Sequence, residues 1–107
     1  MVKLNFFVPE SHLDTVKTAL FAAGAGKIGN YDSCCWQTKG TGQFRPLEGS
    51  DPFIGSKGGK NSEIEQVVEY KVELVCEDAL IRDVITALKA SHPYEEPAYD
   101  VIRLEDV

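Results

Sequence analysis

Six consecutive residues carry the densest chemistry in the chain: His92-Pro93-Tyr94-Glu95-Glu96-Pro97. An imidazole beside two carboxylates suits Zn, Mn or Fe ions, and the same groups can move protons. Pro93 and Pro97 restrict the backbone, so donors held between them are partly preorganised. His92, Glu95 and Glu96 are therefore the candidate ligands for a divalent metal ion. Three ligands this close in sequence seldom all reach one ion, and Tyr94 interrupts them. The plainer reading is structural: His92 caps the last carbonyls of a helix, Tyr94 packs, and Glu95 and Glu96 stay solvated. A site assembled from this turn on several subunits relaxes the spacing objection.

Gly24-Ala25-Gly26-Lys27-Ile28-Gly29 matches the dinucleotide pattern G-x-G-x-x-G. That pattern works after a strand and at the start of a helix, where backbone amides meet a pyrophosphate. Here it follows a predicted helix and precedes a predicted strand. A helix stop and tight turn fit better, with an anion nest left open. Cys34 and Cys35 with His92 suggest a thiol and a base, but activation needs spatial adjacency. Alternation puts Cys34 in the core beside Trp36, the common fate of a free Cys. The candidate ligand-binding residues are Gly24, Gly26, Gly29, Tyr31, Cys35 and Tyr94. No catalytic residue is assigned, and the cofactor is unknown beyond the divalent ion.

The elements that must position these residues follow from periodicity. Val2, Leu4, Phe6 and Val8 alternate with Lys3, Asn5 and Phe7, which predicts a half-buried strand ending at Pro9. Ser11, with Asp14 three residues on, predicts a helix start. Leu13, Val16, Leu20 and Ala23 keep helical spacing, and Gly24 is the stop. A second strand is predicted from Tyr31 to Thr38, broken by Gly40-Thr41-Gly42 and briefly continued at Gln43-Phe44-Arg45. Leu47 to Glu63 reads as a long Gly-rich loop, of a kind usually functional or mobile. Val68, Tyr70, Val72 and Leu74 predict a third strand. Asp78 is the expected cap of a second helix, whose stripe is Leu80 or Ile81, then Val84, Ile85 and Leu88. Pro93 ends that helix, and Ala98 to Leu104 is the last strand.

The order β-α-β-β-α-β predicts an α+β, ferredoxin-like fold, a four-stranded antiparallel sheet with two helices on one face. The open face would carry Phe7, Cys35, Val75 and Val101 or Ile102. A partner or the long loop must cover them, so a homo-oligomer is expected.

Composition bounds the function. The 107 residues suit one domain, and 43% apolar with 26% charged residues is ordinary for a soluble globule. The net charge is −6 and basic residues are scattered, the longest cluster being Lys57 to Lys60. No nucleic acid and no membrane partner is expected. No apolar run approaches the roughly 20 residues that cross a bilayer, and the first residues are too short and alternating for an export signal. Cys34, Cys35 and Cys76 are an odd number, two of them adjacent, and read as reduced thiols of a cytoplasmic protein.

Two long blocks then carry a resemblance. One is Gly24-Ala25-Gly26-Lys27-Ile28-Gly29-Asn30-Tyr31, with Cys34, Trp36 and Gly40-Thr41-Gly42-Gln43-Phe44-Arg45-Pro46, followed by Gly49, Pro52, Gly55, Gly58, Glu69 and Glu73. The other is His92 to Pro97 with Ala98-Tyr99-Asp100. Together they resemble the YqfO-type insert, the PII/CutA-like module within the Nif-three-like (NGG-one-interacting factor three) family. The resemblance implies a ferredoxin-like fold and a trimer. Full-length relatives are often labelled type-two GTP cyclohydrolases and carry a two-metal site in flanking domains. A chain of 107 residues has no room for those domains, so neither that activity nor those ligands is implied here. The expectation is a free-standing, non-catalytic, self-associating module that binds a small ligand or metal ion. Its rivals are a metal-dependent hydrolase using His92, Glu95 and Glu96, and an adaptor docking through Leu47 to Lys60.

Overall fold

The computed structural model describes residues 1–55 and 62–107. The middle of the Gly-rich loop, with Lys57, Gly58, Gly59, Lys60 and Asn61, lies outside the described residues. The elements are β1 (Val2–Pro9), α1 (Leu13–Ala22), β2 (Trp36–Phe44), β3 (Glu65–Cys76), α2 (Ile81–Ser91) and β4 (Tyr99–Arg103). The sheet order is β2-β3-β1-β4, and every neighbouring pair is antiparallel. This is the expected ferredoxin-like arrangement of two interleaved split βαβ units.

Period two in β1 divides the molecule. Val2, Leu4, Phe6 and Val8 are buried on the helix side, where Val72, Leu74 and Cys76 of β3 join them. Val16 and Leu20 of α1 and Val84 and Leu88 of α2 close that core. Each such side chain contributes about 1.5–3 kcal/mol on full burial. The alternate residues Lys3, Asn5 and Phe7 face the open side, with Val75, Glu73, Lys71 and Glu69 of β3 and Ile102 of β4 in register. Val101, opposite Leu4, belongs to the helix side instead. Asn5 is buried on the open face and donates from Nδ2 to Asp100 Oδ1 at 2.8 Å, fastening β4 to β1.

The predicted helix caps differ from those observed. Neither Ser11 nor Asp78 makes a capping bond; short 3-10 turns over Glu10–His12 and Asp78–Leu80 lead into the helices. Ser11 Oγ instead meets His12 Nδ1, and Asp78 pairs with the Met1 amine and Arg103. The stop at Gly24 is as expected. The Gly24 N–H donates to Phe21 O and the Ala25 N–H to Leu20 O, a Schellman motif with Gly24 at φ +105°.

The second strand starts later and runs further than predicted. Gly40-Thr41-Gly42 does not break it, because ladder bonds to Glu69, Val68 and Val67 need only backbone. Cys34 is not in the core; it is half-buried, and Trp36 is 68% exposed. Thr41–Phe44 and their partners Glu65–Val68 project past the last β1 pair, Pro9 with Glu69. This two-stranded arm helps stretch the molecule to 51 × 25 × 23 Å.

Candidate functional site

At the end of α2 the chain must turn. The His92 N–H still donates to Leu88 O, and Pro93 then forces the backbone out of the helix. The His92 ring swings back onto β1. Its Nε2 lies 2.7 Å from Phe7 O, and its Nδ1 lies 3.1 Å from the Tyr94 backbone N. A carbonyl only accepts and an amide N–H only donates. The ring is therefore neutral, with its proton on Nε2. Burial holds its pKa below the usual histidine value.

This anchored turn forms one wall of a groove of about 430 Å³. Phe7 and Glu69 line the sheet side, Gln43 to Leu47 continue from β2, and Pro52, Phe53 and Ile54 close over from the loop. Phe53 packs edge-on to His12 at 5.3 Å and lies 6.4 Å from the Tyr94 ring. The Asp51 N–H donates to Glu95 Oε2 at 3.1 Å, tying loop to turn. Ser62 Oγ donates to Pro46 O at the loop's far end.

Glu69 is a half-buried carboxylate on the sheet side of the groove. Its carboxylate leans over Gly42, where a Cβ would collide with it. Tyr94 Oη stands 3.5 Å from Glu69 Oε2, a long hydrogen bond. Burial pushes the Glu69 carboxyl above its usual range, and the Tyr94 hydroxyl partly offsets this. Burial and the Glu69 charge push the Tyr94 phenol up to about 12, so it stays a donor.

The residues expected from sequence fall into two places. Tyr94, Glu95 and Glu96 line the groove, while His92 braces it from behind with both ring nitrogens engaged. Among the described residues no three His, Cys, Asp or Glu side chains gather as a metal-holding set, and His92, Glu95 and Glu96 form none. Gly24, Gly26, Gly29, Tyr31 and Cys35 lie toward the opposite end of the sheet. There a second depression of about 500 Å³ is lined by Lys3, Ile28, Cys34, Cys35, Trp36 and Glu73. Lys3 and Phe7 stand four residues apart along β1, about 13 Å, so these residues and the Tyr94 turn lie at two separate depressions. Cys34, Cys35 and Cys76 are free thiols, and burial raises that of Cys76.

Sequence reasoning missed Glu69, Arg45 and Phe53 as groove residues. The available signal was Phe7, an aromatic on the otherwise polar face of β1, which reported a cover over that face.

No protein-family model matches the chain. A GTP cyclohydrolase 1 type 2 homolog of Halalkalibacterium halodurans is 48% identical over 104 residues, covering 97% of this chain and 27% of that protein. The crystal structure of a Bacillus cereus protein related to NIF3 matches with TM-score 0.80 at 41% identity, over 98% of this chain and 26% of its own. CutA1 of Pyrococcus horikoshii matches with TM-score 0.66 at 23% identity, over 100% of this chain and 86% of its own, which speaks for the fold alone. The chain spans about a quarter of the length of the curated relatives it matches. The chain is thus homologous to one segment of the GTP cyclohydrolase 1 type 2 homologs and of the NIF3-related protein, and it has the CutA/PII-like fold.

Proposed function

We propose that this domain is a non-catalytic, self-associating regulatory module that holds a small ligand in the groove between Phe53, Tyr94 and Glu69. The groove carries the reading. Its volume of about 430 Å³ lies in the range of small-molecule sites, and its aromatic walls converge on a few polar groups. A hydrolase built on the His92 turn is less well supported. His92 would first have to leave Phe7 O or the Tyr94 N–H to act as base or ligand.

Self-association is supported by the arm of Thr41–Phe44 with Glu65–Val68. A two-stranded ribbon is marginal in water, and the apolar Val68 on it is 45% exposed. Both edge strands, β2 and β4, are largely exposed. A trimer is the state that the family resemblance implies. The free thiols Cys34, Cys35 and Cys76 favour a reducing, cytoplasmic setting.

Light scattering after size exclusion tests the assembly, and thermal melts against a metabolite panel test the groove. An oligomer at micromolar concentration, and a ligand whose stabilisation is lost in Phe53→Ala, are expected. A strict monomer, or a ligand indifferent to Phe53, would overturn the corresponding half.

A further inference from the structure

We infer that the groove selects an organic ammonium ion with an aromatic or apolar body, and rejects phosphates and nucleotides. This rests on the groove being the ligand site.

The described lining carries three carboxylates, Glu69, Glu95 and Glu96, against one guanidinium, Arg45. The state of Glu69 matters most. It is half-buried, yet has no ion-pair partner among the described residues. Among the described residues its carboxylate has one hydrogen bond, the long one from Tyr94. Lys39 and Lys71 line a further depression that Glu69 also borders, and neither pairs with its carboxylate. A partly desolvated carboxylate gains most from a cationic donor, and the described residues supply none. Gly42 makes this placement, because only a residue without Cβ lets the carboxylate lie over β2.

The walls suit the rest of such a ligand. Phe7, Phe44, Phe53 and Tyr94 offer aromatic surface for an apolar body, and ring faces attract an ammonium beside them. A phosphate would bring further negative charge against Glu69, Glu95 and Glu96, with Arg45 the one cation among the described lining residues to offset it.

Isothermal titration of the full chain at neutral pH tests this with four probes: phenethylamine, neutral 2-phenylethanol, anionic 3-phenylpropionate, and ATP. Phenethylamine is expected to bind and the other three to fail. Glu69→Gln should weaken it about tenfold or more. Gly42→Ala, which displaces the carboxylate at the flexible end of its side chain, should weaken it likewise. Circular dichroism melts of both variants show whether the fold is kept. Phenethylamine binding unchanged in both folded variants would overturn the inference. Binding of 2-phenylethanol, 3-phenylpropionate or ATP in place of the amine would overturn the charge assignment and leave the groove as a ligand site. No binding by any of the four would overturn the ammonium inference, while the groove as a ligand site stands or falls by the metabolite panel and Phe53→Ala.

Discussion

His92 Nε2 donates to the carbonyl oxygen of Phe7 across 85 residues of sequence, at 2.7 Å. The bond joins the end of α2 to the strand that floors the groove. It also sets the protonation state of the ring, because Nδ1 must accept from Tyr94. A second proton on Nδ1 would face that N–H donor.

Acid should therefore loosen this joint. The folded-state pKa of His92 is depressed, chiefly by burial. Near pH 6.5 and below, the unfolded chain takes up a proton that the folded chain resists, so unfolding gains. Stability from this residue is complete above about pH 6.5 and falls as pH drops from there toward the lower folded value. Its slope is at most about 1.4 kcal/mol per pH unit. Urea unfolding between neutral pH and pH 5 reads it, and His92→Gln should flatten that part of the curve. An unchanged slope in the variant would show that His92 is not its source.

Phe6 and Phe7 are adjacent but serve opposite faces. Phe6 is fully buried under the helices, while Phe7 is partly exposed and lines the groove. Phe6→Ala should cost about 3–5 kcal/mol of folding stability. Phe7→Ala should cost under about 2 kcal/mol, because its ring is only partly withdrawn from water. Its larger effect should fall on ligand binding. Chemical denaturation of the two variants side by side checks the contrast.

Much of this division is legible in the sequence, because burial writes periodicity. The inward residues of β1 and β3 alternate, and the helix stripes repeat. β2 leaves no such trace: it lies on an edge, its residues are mostly exposed, and Gly40 and Gly42 resemble a break. Its pairing comes from backbone bonds to β3, on which composition says little. Asp78 does not cap its helix, because its carboxylate has stronger partners in the Met1 amine and Arg103. Tyr94, Glu95 and Glu96 stand out in their proline-bracketed turn. Glu69 does not, since it meets Tyr94 only through strand register and the absence of a Cβ at Gly42.

Gly26 should be the least replaceable residue of the turn after α1. At φ +79°, a Cβ there would lie 2.8 Å from the Cys34 carbonyl oxygen and 2.9 Å from the Phe21 ring. The backbone cannot give way, because Gly26 itself bonds Val75 O and the Cys34 N–H, each at 2.8 Å. Gly26→Ala should exceed the ~1–2 kcal/mol of left-handed strain alone. Gly29→Ala, at φ +56° in open space, should show that strain and no more. Equal losses in urea denaturation would contradict the steric account.

Asp78 gives a second acid-sensitive joint, distinct in pH window from His92. Its two oxygens meet the Met1 amine and Arg103 Nη1, each at 2.8 Å, where β1 begins and β4 ends. Hydrogen bonds from these two cations hold its pKa down to about 2. A depressed carboxyl contributes fully above its ordinary value of 3.8 and loses that contribution as pH falls toward about 2. The site is exposed, so the global effect is small. The local effect should be visible at Leu104, whose N–H bonds Met1 O at 3.2 Å. Amide exchange there, corrected for its intrinsic pH dependence, should lose protection below pH 3.8. Asp78→Asn should show the lower protection already at neutral pH, and equal protection in the two proteins at neutral pH would show that the pair holds nothing.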